Sequence, residues 1–349
     1  MTRVRIGVDI GATAVRAAEV KFSPPSLVRV GQVPLPTGAV TSGEVRDPEA
    51  VGAALRELWK SAKFRKREVI LGVGNQRVVV REVSLPWLPD KEFRASLPFQ
   101  VQEHVPIPVE EAVLDYETLE EYEQEGRKMV RLLLVAAQKT MVDRLVQCAE
   151  AAKLTPVGID LVPFAIVRSA GSVDGMNLEA QDGGDEAIVD IGADLTSICV
   201  HAAGVPRFVR VLSSGGREIT SAVARSMGIE DDEAERLKRG ESHDPDKLQQ
   251  AGQVAQARAT SFVDEVRSSL DFYQAQSKGA RIARVLVTGG GSKLPGLANL
   301  LDERLATHVA RGQAFHRVNP SLDLSPEAMA AAEPLLAVAV GLALPGGHE

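Results

Sequence analysis

Two aspartates occupy the same four-residue setting in the two halves of this 349-residue chain, Asp9-Ile10-Gly11-Ala12 and Asp190-Ile191-Gly192-Ala193. Each follows a strand-like apolar run, 6–10 in the first copy and 187–191 in the second, and each reads as the turn of a β-hairpin. Glycine in such a turn lets backbone N–H groups come close to phosphate oxygens, and a nearby hydroxyl, Thr13 or Thr196, adds a donor. A carboxylate at the strand end would repel a bare phosphate. Asp9 and Asp190 therefore make chemical sense with Mg²⁺ between them and a nucleotide, held through bound water. Arg16 supplies positive charge toward terminal phosphates. One copy alone is a weak signal and reads as a tight turn; the repetition favours a duplicated phosphate loop.

Further along, Val285-Leu286-Val287-Thr288 runs as a buried-type strand into Gly289-Gly290-Gly291-Ser292, where three glycines let a planar base and ribose lie against backbone. Glu235 and Lys238 stand three apart, so one helix face can present both, as a solvated ion pair does. The six histidines show no H-E-x-x-H spacing, and no catalytic residue or general base can be assigned. Trp87, between Pro86 and Pro89, reads as a partner anchor or as packing at a domain edge, with packing the expectation.

The elements that must position these residues alternate between strand and helix, which predicts α/β architecture. Asp47 and Pro48 give an N-cap and a first-turn proline for a helix carrying Val51, Leu55, Leu58, Trp59 and Ala62 and ending in the basic run 63–67. Segments 69–73 and 78–83 read as strands around a turn at Gly74-Asn75-Gln76. Pro86, Pro89, Pro98, Pro106 and Pro108 take the chain out of the preceding sheet, with a boundary near 84. Thr140 and Asp143 suggest a short-side-chain capping box. Residues 181–185 read as a flexible hinge between two large domains. Phe262, Val266, Leu270 and Tyr273 mark a long amphipathic helix over 254–276.

Composition narrows the class. The chain is long enough for two domains, and 47 acidic against 40 basic residues, net charge -7, argue against nucleic acid as a partner. Cys148 and Cys199 lie in separate apolar stretches, as reduced buried thiols do. Met1-Thr2-Arg3 leads at once into a strand, which predicts no signal peptide, and the apolar run 335–344 is about half of the ~20 residues that span a bilayer.

The three loops, in this order, resemble the phosphate-1, phosphate-2 and adenosine motifs of the actin, Hsp70 and sugar-kinase superfamily. The resemblance implies a two-lobed, ribonuclease H-like ATPase fold binding ATP and Mg²⁺. Asp9, Gly11, Ala12, Thr13 and Arg16 would form the first phosphate loop; Asp190, Gly192, Asp194 and Thr196 the second; Gly289, Gly290, Gly291 and Ser292 the adenosine loop. Ser214-Gly215-Gly216-Arg217-Glu218-Ile219-Thr220, with Glu235 and Lys238 downstream, looks like a pairing found in FtsA and PilM, which brings Gly215, Gly216, Glu235 and Lys238 to the adenosine side. Residues 97–116 hold a Val105-Pro106-Ile107-Pro108 turn and a Val113-Leu114-Asp115-Tyr116 strand, and these resemble the PilM family of type IV pilus assembly proteins. One departure is Pro98, which implies that the helix before this turn is kinked or begins later.

PilM membership implies subdomain 1A at 1–83 with 158–182 and 330–349, an inserted 1C at 84–157, 2A at 183–216 with 276–329, and 2B at 217–275. It further implies an ATP-binding cytoplasmic adaptor, peripheral to the inner membrane through protein partners. Those partners would be other platform proteins and the N-terminal peptide of PilN, docked in a 1A/1C groove. ATP would act as a clamp with weak or absent turnover. An actin-fold sugar kinase needs a catalytic carboxylate and a polar sugar site that are not identifiable here. An FtsA-like polymerising division protein is expected to end in a basic amphipathic helix, whereas this sequence ends Pro345-Gly346-Gly347-His348-Glu349. An Hsp70-like chaperone would need a further peptide-binding domain.

Overall fold

The structure, a computed structural model, describes residues 3–172, 184–277 and 280–346. It opens with β1 (Val4–Ile10), β2 (Ala14–Lys21) and β3 (Ser26–Pro34), a small hairpin of β4 (Val40–Thr41) and β5 (Glu44–Val45), α1 (Pro48–Ser61) and β6 (Glu68–Val73). Asp47 caps α1 as expected, its Oδ1 accepting from the backbone N–H groups of Glu49 and Ala50 at 3.1 and 3.0 Å. There follow β7 (Val79–Pro86), α2 (Asp90–Gln100), β8 (Ala112–Gln124), β9 (Arg127–Gln138), α3 (Lys139–Ala151), β10 (Thr155–Leu161) and α4 (Val162–Ala170).

The second half runs β11 (Asp185–Ile191), β12 (Thr196–Ala202), β13 (Val205–Leu212), α5 (Gly216–Met227), α6 (Asp231–Lys238), α7 (Pro245–Gln276), β14 (Ile282–Thr288), α8 (Leu297–Leu305), β15 (His308–Arg311), β16 (Asn319–Pro320) and α9 (Pro326–Ala343). The first large sheet has the order β10-β6-β1-β2-β3-β16 and the second β13-β12-β11-β14-β15. In each, an antiparallel three-strand meander sits beside two parallel strands, so the repeated Asp-Ile-Gly-Ala marks a repeated architecture.

Side-chain alternation decides the layers. Ile6, Val8, Val15 and Ala17 face α1 and α3, while Ala18 and Val20 face α9. In the second sheet Val189 and Ile191 face α5, α7 and α8, and Ile188 packs with Ile166 of α4 and Leu342 of α9. Those two helices fill the space between the sheets and join the lobes. The apolar run 335–344 belongs to α9, which by length and composition could cross a membrane. Its buried residues, Leu336 to Ala343, pack instead into this inter-sheet core.

Several local expectations change. The chain leaves the first sheet at Gly74, because β7 already pairs with β9 in a small β7-β9-β8 sheet covered by α2. The helix ahead of the Pro106–Pro108 turn begins at Asp90 and carries Pro98 within its last turns. The Thr140/Asp143 box is not formed: α3 starts at Lys139 straight from β9, and the cap residue Gln138 makes no side-chain cap bond. α7 begins nine residues earlier than expected, behind an Asp244-Pro245 start like that of α1. Trp87 is 37 % exposed, with Lys128 Nζ 5.4 Å from its ring centre, so edge packing does not account for it. Residues 181–183 of the expected hinge lie outside the described residues, and Asp185 already belongs to β11.

Candidate functional site

Both repeats form four-residue hairpin loops closed in the same way. Gly11 N–H donates to the Ala14 carbonyl at 3.1 Å, and Gly192 N–H donates to the Leu195 carbonyl at 2.9 Å. Hairpin register sets Asp9 opposite Arg16, whose Nη1 lies 3.5 Å from the carboxylate while its Nε donates to Gln32 at 2.8 Å. Burial raises the Asp9 carboxyl above its usual range, and Arg16 opposes the rise. Burial, and next the Asp9 charge, push Asp190 up to about 7. The two carboxylates, one from each sheet, thus lie near enough for the Asp9 charge to act on Asp190. A desolvated pair of like charges with a single arginine beside it is a donor set that a divalent cation relieves, so the residues fit Mg²⁺. Among the described residues no three His, Cys, Asp or Glu side chains form a metal cluster.

The remaining parts brace these loops. Gly216 and Arg217, at the start of α5, donate their N–H groups to the carbonyls of Gly192 and Ala193 at 3.0 and 2.8 Å. Gly215 packs so closely that a Cβ there would lie 2.6 Å from the Ala193 oxygen. Thr196 is buried and its hydroxyl donates to the Ser214 carbonyl at 2.8 Å, which commits it to the fold; Thr13 is exposed at its loop. Asp194 Oδ1 meets Arg217 Nε at 2.6 Å, and Asp194 Oδ2 accepts from the Ser42 N–H at 3.2 Å. That second bond crosses from one lobe to the other, because Ser42 is at the tip of the β4–β5 hairpin. Gly43 beside it, at φ 74°, leaves no room for a side chain against Leu195 and the Gly74 carbonyl.

On the opposite wall, Gly289 leaves β14 at φ 83° and donates to the Pro334 carbonyl of α9 at 3.0 Å. A Cβ there would fall 2.8 Å from Asp190 Oδ1, so the glycine loop presses against the second phosphate loop. Ser292 Oγ donates to the Gly289 carbonyl at 2.7 Å and shapes this turn. Lys238 Nζ lies 2.6 Å from Glu235 and donates to the Gly216 carbonyl at 3.0 Å and the Thr220 hydroxyl at 2.8 Å, while Thr220 also donates to Glu235. Burial raises Glu235, but Lys238 and Thr220 outweigh it and hold the carboxyl low; burial lowers Lys238 against the pull of Glu235. This is a partly buried network joined to the α5 start, not a solvated pair.

Sequence reading missed four members. Gln32 and Ser42 carry no periodic or motif signal, and Arg217, though inside the 214–220 motif, was given no role of its own. Lys293 follows the glycine cluster and donates to the Ala331 carbonyl, and burial, then the charges of Arg239 and Arg16, lower its ammonium. Its position directly after Ser292 was the available clue.

Two hairpin loops from matching sheets, a glycine loop between them and the cleft they border define a protein of the actin-like, nucleotide-binding fold. Solved structures of that fold agree: EutJ from Carboxydothermus hydrogenoformans, 17% identical over 99% of this chain and 90% of that one at TM-score 0.58, and ADP-bound MreB5 of Spiroplasma citri, 12% identical over 97% and 94% at TM-score 0.54. FtsA of Bacillus subtilis (strain 168) is 24% identical over 87% of this chain and 77% of its own. The profile of the family described as type IV pilus assembly protein PilM matches residues 7–346, and a PilM–PilN type IV pilus biogenesis complex is 30% identical over 97% of both chains at TM-score 0.83. The chain belongs to the PilM family.

Proposed function

We propose that this chain is an ATP-binding adaptor of the pilus assembly platform, working at the cytoplasmic face of the inner membrane. In this reading Mg²⁺-ATP lies across the cleft, with Gly11, Ala12, Thr13 and Arg16 against one end of its phosphates and Gly192 and Asp194 against the other. Asp9 and Asp190 hold the metal through water. Gly289, Gly290, Gly291 and Ser292 receive the adenosine, with Gly215, Gly216, Glu235 and Lys238 on its far side. The observation that carries it is the pair of buried aspartates at the ends of β1 and β11, one from each lobe, with the Asp9 charge adding to burial in raising Asp190. A ligand that meets both loops favours the closed arrangement by its differential affinity for that state.

The division into 1A, 1C, 2A and 2B is part of the same reading, with β7 straddling the boundary at 84. A PilN-like N-terminal peptide docks in the 1A/1C groove, supported by the likeness to the PilM–PilN complex. Turnover is weak or absent in this reading. Calorimetric titration with Mg²⁺-ATP, with and without a synthetic PilN N-terminal peptide, tests this. Expected are binding of both ligands, reciprocal changes in the two affinities, and little phosphate release. Sugar-dependent ATP consumption, or no peptide binding in either state, would overturn it.

A further inference from the structure

Six cations gather at the end of the first sheet farthest from the cleft. Lys60 and Lys63 close α1, Arg65, Lys66 and Arg67 follow in the loop to β6, and Lys153 ends α3. The Thr155 N–H donates to the Arg67 carbonyl at 2.8 Å, which sets the α3 exit beside the loop. Leu71 pairs with Val8, so β6 begins at the sheet edge remote from Asp9. All six side chains are exposed, and none makes an ion pair among the described residues. The exposed carboxylates in the same segments are Glu57, Glu68 and Glu150, which leaves the patch cationic on a chain of net charge -7.

The loop is rigid. Trp59 Nε1 donates to the Lys66 carbonyl at 2.8 Å, the Phe64 N–H to the Trp59 carbonyl at 3.1 Å, and Arg29 to the carbonyls of Ala62 and Lys63. Phe64 is buried against Trp59, ring centres 4.9 Å apart, while its neighbours point outward. Lys63 and Lys153 both adopt left-handed backbone, φ 57° and 59°, where helices ordinarily end in glycine. The helix dipole explains a cation at those two positions. It does not explain Arg65-Lys66-Arg67 beyond the helix end. Beside them Val157 is 60 % exposed, at the mouth of a cavity of about 660 Å³ lined also by Val146, Lys153 and Ile159.

We propose that this patch is a contact surface for the anionic phospholipid headgroups of a membrane. A planar anionic surface touches one end of the molecule, attracts that end and repels the acidic remainder, which turns the nucleotide cleft away from the lipid. Duplex DNA fits less well, because groove reading uses a projecting helix or ribbon and these cations stand on a tight loop. The contact is electrostatic and superficial and is independent of the peptide reading.

Sedimentation of the full chain with phosphatidylglycerol-containing vesicles and with neutral phosphatidylcholine vesicles tests it. Expected are retention on the anionic vesicles at low salt, loss at raised salt, and a weakening of more than about tenfold in the Lys63→Glu, Arg65→Glu, Lys66→Glu triple variant, given a contribution of about fivefold per charge. A control triple variant, Lys91→Glu, Lys139→Glu, Arg225→Glu, changes net charge equally at other exposed sites and should retain binding. Equal retention on neutral vesicles, equal weakening by both triple variants, no retention at low salt, or tighter binding to duplex DNA than to vesicles would each overturn the proposal. Circular dichroism establishes that both variants are folded.

Discussion

Asp190 is the residue on which the nucleotide reading turns, and its raised carboxyl makes a signed prediction. A carboxyl that titrates at about 7 folded and at 3.8 unfolded holds its proton more tightly in the fold. Its stabilising effect is complete below about 4 and is lost as pH rises through about 7. Without Mg²⁺ or nucleotide, the thermal midpoint should fall across that window, and Asp190→Asn should flatten the fall. The same variant should weaken Mg²⁺-ATP by about tenfold or more, since a charge-assisted contact is worth ~1.5–3 kcal/mol. Thermal melts across pH beside calorimetry separate the two effects; equal pH profiles for variant and parent would refute this account of Asp190. The aspartates and glycines were legible at this scale because a motif repeats. The partner of the Thr196 hydroxyl was not legible, because sequence does not say whether a hydroxyl faces ligand or the neighbouring carbonyl, here that of Ser214.

Among elements, the crossing from α4 into the second sheet is held by a buried cluster. Glu186 accepts from the Ser172 N–H at 2.9 Å, meets His201 Nε2 at 3.0 Å, and pairs with Arg284. His201 Nδ1 accepts from the Gly204 N–H at 3.2 Å, so Nε2 carries the proton that Glu186 receives. Burial raises Glu186, but His201, Ser172 and Arg284 outweigh it and hold the carboxyl low. Its stabilisation is therefore present above the ordinary glutamate range and is lost as pH falls through the depressed value. Glu186→Gln should cost toward the lower end of ~3–5 kcal/mol, because Arg284 keeps some solvent at 24 % exposure. Chemical denaturation at neutral pH checks this; a loss under ~1 kcal/mol would contradict it.

Small residues govern the other crossing. A Cβ on Gly341 of α9 would overlap the Ala165 carbonyl of α4. Gly341→Leu should destabilise by ~3 kcal/mol or more, beyond ordinary overpacking, and unchanged stability would mean that the helices are not packed this closely. Of these elements α1 was readable from its cap and α7 from its apolar face. The start of α3 was not, since packing against β9 replaced the cap.

For the molecule as a whole, the lobes meet through α4, α9 and the tip of the β4–β5 hairpin. Asp194→Ala should release Ser42 and Arg217, loosen the closed arrangement by ~1–2 kcal/mol and speed hydrogen exchange at Ser42 and Gly43, with less effect in saturating Mg²⁺-ATP. Exchange there unchanged would show that the hairpin is held without Asp194. None of this was visible beforehand, because Ser42 and Asp194 are 152 positions apart and carry no shared pattern. By itself the sequence determined the two hairpin loops, the glycine loop, the α/β alternation and the family, since each is written in contiguous residue types whose local conformation follows from short-range chemistry. Only the tertiary structure decided that the Asp9 charge reaches Asp190, that Lys293 feels Arg239 and Arg16, and that the Thr196 and Ser292 hydroxyls donate to backbone carbonyls. Those facts depend on how two sheets are set against α4 and α9, which is fixed by packing between residues far apart along the chain.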